Sequence, residues 1–410
     1  MLNTPFSPWP SFSEEEAIAV HNVIKSNRVN YWTGTECRSF EDEFANWSQT
    51  NHAIALANGT VALDLALKGI GLRPDDEVIV TPRTFIASVS CVANLGAKPV
   101  FADVDIDSGN ITANTIEAVL TPSTKAIICV HLAGWPCDMD PIMELARKRG
   151  IKVIEDCAQA HGASYKGRSV GSIGDIAAWS FCQDKIMSTG GEGGMVTTND
   201  EATWRTMWAY KDHGKSFKAV YETQHPQGFR WLHESFGTNW RMTEMQAAIG
   251  RIQLRKMKEW SIKRQENANI LLKALEPFSH DSGPLRIPYI KNAKRGLPQP
   301  SATTHANYKF YAYVRPDSLK PDWNRDRIIA EITSRGVPCY QGTCSEVYLE
   351  KAFENTTFRP PSPLPHAREL GETSVMLLIH PTLTSLEMEK TVEATTKVLR
   401  LAAQNHAPIE

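Results

Sequence analysis

The chain has 410 residues, with 44 Lys plus Arg against 46 Asp plus Glu and a formal net charge of −2. That balance gives no electrostatic footprint for general nucleic-acid binding or for adhesion to an acidic membrane. Hydrophobic residues make up 42% and charged residues 22%, the profile of a water-soluble globular protein, and no apolar run approaches the roughly 20 residues of a membrane-spanning helix.

The chain opens Met1-Leu-Asn-Thr-Pro-Phe-Ser-Pro-Trp-Pro10 and continues Ser13-Glu-Glu-Glu16. Without a basic start or an apolar core, this is not expected to be a secretory signal. From about residue 50, short apolar runs alternate with helical stretches. Strands are predicted at 77–81, 99–104, 126–131, 152–155, 176–180 and 194–198, with amphipathic helices at 61–68, 86–95, 114–120 and 141–149. Asp138 and Asp140 read as N-cap and first-turn acids of the last of these helices. Strand–helix alternation implies an α/β fold, with a mainly parallel central sheet covered by helices on both faces. In such sheets ligands bind beyond the carboxyl ends of the strands.

Thr243-Glu-Met-Gln246 has capping-box form and predicts a long helix through Ile249, Ile252, Met257 and Trp260. A proline-punctuated stretch follows, and its basic run at 291–295 reads as an exposed turn. A strand is predicted at 308–315, a helix at 326–335 and a strand at 376–380. Thr384-Ser-Leu-Glu387 is a second capping box and opens a last helix that runs to about Ala403. The expected layout is a large α/β domain at 1–255, including an N-terminal arm, and a smaller C-terminal α+β domain at 256–410. The eight cysteines contain no CxxC pair. They suit buried thiols in a reducing cytoplasm, and no metal site is expected.

Chemistry is expected where strands end. Val153-Ile-Glu-Asp156 is an apolar strand that stops at an acid, and Lys185 follows the strand ending at Ser180. A carboxylate at one strand end and a lysine beyond another can face one crevice. Pyridoxal phosphate chemistry requires such a pair: the lysine forms a Schiff base with the aldehyde, and the acid keeps the pyridine nitrogen protonated so that the ring serves as an electron sink. Taken singly, an Asp and a Lys on loops read more readily as surface or ion-pair residues. Asn58-Gly59-Thr60 opens a helix, and its N–H groups and hydroxyl suit a phosphate, the alternative being an ordinary N-cap. The 190–194 glycine run fits neither a Walker A loop nor a GxGxxG fingerprint and reads as a tight turn supporting the lysine.

Seven segments in order resemble one family. They are Asn58-Gly-Thr-Val-Ala-Leu63, Thr81-Pro-Arg-Thr-Phe85, Val130-His-Leu-Ala-Gly134, Glu155-Asp-Cys-Ala-Gln-Ala-His-Gly162, Ser180-Phe-Cys-Gln-Asp-Lys185, Gly191-Glu-Gly-Gly194 and the Gly237–Gly250 segment containing Asn-Trp-Arg-Met. The chain resembles the DegT/StrS group of PLP-dependent sugar aminotransferases, within the fold-type I superfamily, over nearly its whole length. The resemblance implies that Lys185 is the Schiff-base lysine and that Asp156 partners the pyridinium nitrogen. Gln159 would contact the phenolic oxygen and ring, and Phe85 would stack on the ring face. Gly59, Thr60 and Ser180 would form the phosphate cup. Asn239 would reach the phosphate from the neighbouring subunit, so a homodimer with shared active sites is expected.

The same resemblance implies L-glutamate as amino donor and a keto sugar as acceptor. The sugar is expected to be a nucleotide-linked 4-keto-6-deoxyhexose, or a keto-deoxyoctulosonate- or nonulosonate-type sugar bound for lipopolysaccharide. A sugar dehydratase of the same family, which carries His in place of the lysine, and a non-catalytic PLP-binding regulator are the rival readings. Two departures from the family pattern fall where a sugar is expected: Cys182 replaces a His, and Gly336-Val-Pro-Cys-Tyr340 leads into an unusual stretch ending at Glu346. Trp32, His213 and Tyr340 are the substrate candidates. The aromatic stretch after Lys211–Gly214, with Phe217, Tyr221, Phe229 and Trp231, reads as a loop packed at the dimer interface or as a wall that contacts the sugar.

Overall fold

In the computed structural model, which describes residues 5–288 and 303–404, the alternating runs of the first half become nine strands. These are β1 (His52–Leu56), β2 (Glu77–Val80), β3 (Lys98–Phe101), β4 (Thr124–Val130), β5 (Lys152–Asp156), β6 (Ser164–Tyr165), β7 (Arg168–Ser169), β8 (Ile176–Ser180) and β9 (Gly194–Thr198). Seven of them form one sheet in the order β1-β9-β8-β5-β4-β2-β3, while β6 and β7 make a separate ribbon. β9 is antiparallel to both its neighbours, and the pairs from β8 through to β3 are parallel.

The strands are apolar on both sides because both faces are covered, as parallel sheets require. Ile154, Ile128 and Val80 join a core with the helices Gly59–Gly69 and Ala87–Asn94. Their neighbours Val153, Ile127 and Ile79 face the other way, toward the helix Met139–Arg149. That two-residue period is the strand pleat expressed as two cores. The helix expected at 114–120 stops at Glu117, ahead of a Thr121-Pro122 pair that disfavours helical backbone. Asp138 occupies the N-cap position of Met139–Arg149 but makes no cap hydrogen bond; its carboxylate instead accepts the Tyr165 hydroxyl. Asp140 pairs with Lys166 and Arg168.

The second half is built on β10 (Leu285–Arg286), β11 (Phe310–Val314), β12 (Cys339–Tyr340) and β13 (Ser374–Leu377), an antiparallel sheet in the order β10-β11-β13-β12. The helices Arg325–Ser334 and Ser385–Ala402 cover it. Both predicted capping boxes are formed, at Thr243 and at Thr384. The first opens a single 32-residue helix, Glu244–Leu275, and the expected boundary at 255/256 falls inside it. Ala247, Leu254 and Met257 pack with the large sheet's core, whereas Ala268, Leu271 and Leu275 pack with the small sheet's. One continuous rod thus belongs to two cores. The basic run at 291–295 lies outside the described residues. No helix among the described residues is long and apolar enough to cross a membrane. All eight cysteines are free, with Cys182 half-buried, Cys344 exposed and the other six buried.

Glu155, the residue before the end of β5, is fully buried on the face opposite to Asp156. Its carboxylate accepts N–H bonds from Gly171 (2.9 Å), Ile173 (2.8 Å) and Gly174 (2.6 Å), and it faces His131 Nε2 at 2.9 Å. Burial alone would raise its pKa, but the bond to His131 and the N–H donors outweigh burial and hold it below the ordinary value. A lowered carboxyl pKa stabilises the fold above the unfolded value of about 4.3 and loses that contribution as pH falls through the folded value. Glu155→Ala should therefore cost about 3 kcal/mol in urea melts at pH 7. The gap between variant and wild type should narrow as pH falls below the unfolded value of about 4.3 and through the lower folded one.

Candidate active site

Because β4, β5 and β8 run parallel, their carboxyl ends open on one edge of the sheet. A cavity of about 1450 Å³ lies there, walled by the large sheet on one side and by Tyr308, Tyr311, Tyr340 and Met376 on the other. Asp156 is the last residue of β5, in register with Val130 of β4 and Ala178 of β8. Only 5% of it is exposed. Its oxygens accept the Ser88 hydroxyl (2.8 Å) and the Ala158 N–H (3.1 Å), and Ser88 is in turn held by Thr84 Oγ1 at 2.8 Å. Burial is the largest influence on this carboxyl and raises its pKa despite those bonds. The charge of Lys185 acts on it from across the cavity, and among the described residues no cation bonds it directly.

Lys185 sits in the loop from β8 to β9. The loop closes tightly because Gly190 (φ 84°) and Gly191 (φ 119°) take up left-handed backbone, which favours glycine. Phe181 N–H donates to the Gly193 carbonyl at 2.8 Å, and Ser188 Oγ to the Phe181 carbonyl at 3.0 Å. The indole N–H of Trp9 donates to the carbonyl of Lys185 itself at 2.8 Å. The Lys185 ammonium donates to Asp184 Oδ1 and Oδ2 at 3.1 and 3.3 Å, and Tyr308 donates its hydroxyl to Asp184 Oδ2 at 2.5 Å.

On the same wall the helix Gly59–Gly69 begins. Asn58 caps it through an N–H bond from Val61 (3.0 Å), and the N–H groups of Gly59 and Thr60 belong to the first turn, where no intrahelical acceptor exists. The backbone comes very close here: a Cβ on Gly59 would lie 2.6 Å from Ser180 Cβ, and one on Gly194 would lie 2.2 Å from the Asn58 carbonyl oxygen. Glycine at both places lets a helix N-terminus and a strand end meet. Phe85 lines the cavity with 67% of its surface exposed, a flat apolar face with nothing of this chain over it. Gln159 is held by an N–H bond from Ala133 to its Oε1 (2.8 Å).

The structure brings Gly59, Thr60, Phe85, Asp156, Gln159, Ser180, Lys185 and Tyr340 to this cavity. Trp32, His213 and Asn239 lie elsewhere on the same chain. Trp32 packs among Trp208, Tyr221 and the Lys215 ammonium, 4.2 Å from its ring. His213 is exposed with left-handed backbone (φ 60°). Asn239 is exposed and bridged to Asp212. Of the aromatic stretch, Phe217 and Tyr221 pack on Trp208, while Phe229 and Trp231 stand 80% and 84% exposed. Ser88, Asp184, Tyr308, Lys309 and Trp9 also take part in or border the cavity, and none of them stands out from sequence. Asp184 is visible there only as the neighbour of Lys185; Tyr308, brought in from the second sheet, carries no local signal.

One buried cluster, His131, Glu155 and Cys157, has ligand-type atoms within 4.8 Å of one another. Two of its members are engaged within the fold: His131 Nδ1 accepts the Cys137 N–H at 3.0 Å, and Glu155 takes three backbone N–H groups. These bonds pin the end of β5.

The family model described as the DegT/DnrJ/EryC1/StrS aminotransferase family matches residues 10–396. The chain is 62% identical to an aminotransferase from Psychrobacter cryohalolentis of known crystal structure, with a TM-score of 0.94 and coverage of 97% of this chain and 99% of that one. It is 40% identical over 264 residues to a GDP-perosamine synthase of Escherichia coli O157:H7, covering 64% of this chain and 69% of the relative. It is 33% identical to a dTDP-3-amino-3,4,6-trideoxy-alpha-D-glucose transaminase of Streptomyces venezuelae, covering 93% and 91%.

The close approach at Gly59 has a direct consequence. Gly59→Ala would press on Ser180 and push the helix start away from the strand end. Affinity for pyridoxal phosphate is expected to fall by about tenfold or more, a loss of about 1.4 kcal/mol, when measured by fluorescence titration of the cofactor-free protein.

Proposed function

This chain belongs to the DegT/DnrJ/EryC1/StrS aminotransferase family, and on that premise we propose that it moves the amino group of L-glutamate to a keto sugar. As a member it is a pyridoxal-phosphate-dependent sugar aminotransferase of fold-type I. We take the acceptor to be a nucleotide-linked 4-keto-6-deoxyhexose, or a keto-deoxyoctulosonate- or nonulosonate-type sugar, used for a surface polysaccharide or lipopolysaccharide. Relatives named for GDP- and dTDP-linked amino sugars support a nucleotide-linked acceptor. The observation that carries the reading is the meeting, in one cavity, of a buried carboxylate to which no cation is bonded and a lysine amine from the adjoining strand end.

The residues present fit pyridoxal phosphate. Gly59 and Thr60 offer N–H groups at a helix start, beside the Ser180 hydroxyl, and would hold its phosphate. Phe85 offers an uncovered ring to the pyridine face. Asp156 would hold the proton at the ring nitrogen, and the cation so formed would relieve its burial. Gln159 would face the ring and phenolic oxygen. When bound, the cofactor supplies an aldehyde that exchanges amines and a ring that accepts an electron pair.

This chain's own residues would then do two things. Lys185 Nζ would anchor the cofactor at rest and, once free, take the proton from the donor's α-carbon and keep it for return. Asp184, bridging Lys185 and Tyr308, would hold that amine over the cavity. A sugar dehydratase of this family would carry His where Lys185 stands, so the lysine favours the aminotransferase. Asn239, exposed and outside its own chain's cavity, would serve the site of a second subunit in a homodimer, and a cytoplasmic location follows from this reading.

Lys185→Ala should lower release of 2-oxoglutarate from L-glutamate by more than about 100-fold. Mixing that variant with an inactive Asn239→Glu variant, under conditions where subunits exchange, should recover activity through heterodimers with one intact site. Recovery would be read by the same assay, and none despite proven heterodimers would contradict a shared site.

A further inference from the structure

Lys309 immediately precedes β11 and lines the cavity beside Tyr308, Tyr311 and His380. Its ammonium lies 4.9 Å from the centroid of the Tyr308 ring, and that of Lys185 lies 5.8 Å from the same centroid. Two cations therefore border one ring. Three other charges act on Lys309, those of Arg264, Asp184 and Lys185. Asp184 is the single anion among them, and it is already bonded to Lys185 and Tyr308. Arg264 is buried, donates to the Asn307 and Tyr308 carbonyls (3.4 and 3.2 Å) and lies 5.0 Å from the Trp9 ring centroid, and among the described residues its Nε and Nη2 have no hydrogen-bond partner. Glu192 and Glu350 also line the cavity, but neither is among the groups whose charge reaches Lys309. Lys309 of the small-sheet wall, Lys185 of the β8–β9 loop and Arg264 of the long helix thus surround one committed carboxylate.

We propose that Lys309 receives the carboxylate of the amino donor, an inference that rests on the aminotransferase reading but not on which sugar is the acceptor. An amino acid that reacts at the Lys185 amine carries its carboxylate on the very carbon that bears the reacting nitrogen. A second cation on the same tyrosine ring lies where that carboxylate can find a charge-assisted partner. The other anion-seeking groups of the cavity are engaged elsewhere: the Gly59–Thr60 turn suits a phosphate, and Lys185 is the reacting amine. Burial first, and then the charges of Arg264 and Lys185, push the Lys309 amine down to about 8, the behaviour of a cation short of negative charge. A bound carboxylate would supply it.

Two titrations of the cofactor-loaded protein test this. Glutarate, which has carboxylates but no amine to react, is titrated by calorimetry, and L-glutamate is titrated by the change in cofactor absorbance. Lys309→Met should weaken glutarate binding and raise the half-saturating L-glutamate concentration by about tenfold or more each, while Lys309→Arg stays within about threefold of wild type. Cofactor content should be unchanged in both variants, and the effect should fall on KM more than on kcat. Equal titrations in wild type and Lys309→Met would overturn the proposal, as would wild type that does not bind glutarate. A change with glutarate alone would also overturn it, since the donor would then bind elsewhere. If wild type fails to respond to L-glutamate at all, the aminotransferase reading falls, and the glutarate titration still decides whether Lys309 binds a carboxylate.

Discussion

A carboxylate removed from water at the end of a central parallel strand must find a partner, and among the described residues the donors bonded to Asp156 are two neutral groups. Burial at 5% exposure raises its pKa, a state that a protein retains when something else is meant to compensate it. The rest of the site is arranged about that strand end. Parallel pairing of β4, β5 and β8 makes the strands open on one edge, so the loops leaving β5 and β8 lie together. Had β8 run the other way, Lys185 would emerge at the opposite edge.

The site also needs the second sheet. Tyr308, just before β11, supplies the hydroxyl that holds Asp184, and Lys309 and Tyr340 close the wall. The long helix Glu244–Leu275 shares its faces between both cores. The N-terminal arm adds a further tie: Ser7 bonds Glu387 of the last helix, and Trp9 bonds the Lys185 carbonyl. The loop that carries Lys185 is therefore braced from three directions, which would suit the amine role proposed for it.

Much of this is legible along the chain. The bounds of β8 and β9 match their apolar runs, because each is a fully buried strand bounded by polar or turn residues. Asp156 and Lys185 are visible as polar residues where such runs stop. Capping boxes mark both long helices, since Ser/Thr and Glu/Gln three residues apart satisfy backbone donors reciprocally. The same spacing at Ser13–Glu16 opens the helix Glu14–Ser26, a start that the charge-rich segment hides. β1 escapes a reading from sequence because a five-residue run at a sheet edge has little pattern of its own. The bonds of Ser88 to Asp156 and of Tyr308 to Asp184 span 68 and 124 positions, and nothing local encodes them. Trp32, His213 and Asn239 lie outside the cavity that Asp156 and Lys185 share, and no local pattern in the sequence separates them from the residues that line it.

The central claim is that Lys185, and not its neighbour across the Tyr308 ring, is the amine that holds the cofactor. Reduction of the pyridoxal-phosphate-loaded protein with borohydride, with digestion and mass spectrometry of the product, fixes the attachment point covalently. One pyridoxyl-modified peptide is expected, carrying the label on Lys185. A label on Lys309, or a loaded protein that takes up no label at all, would contradict that claim.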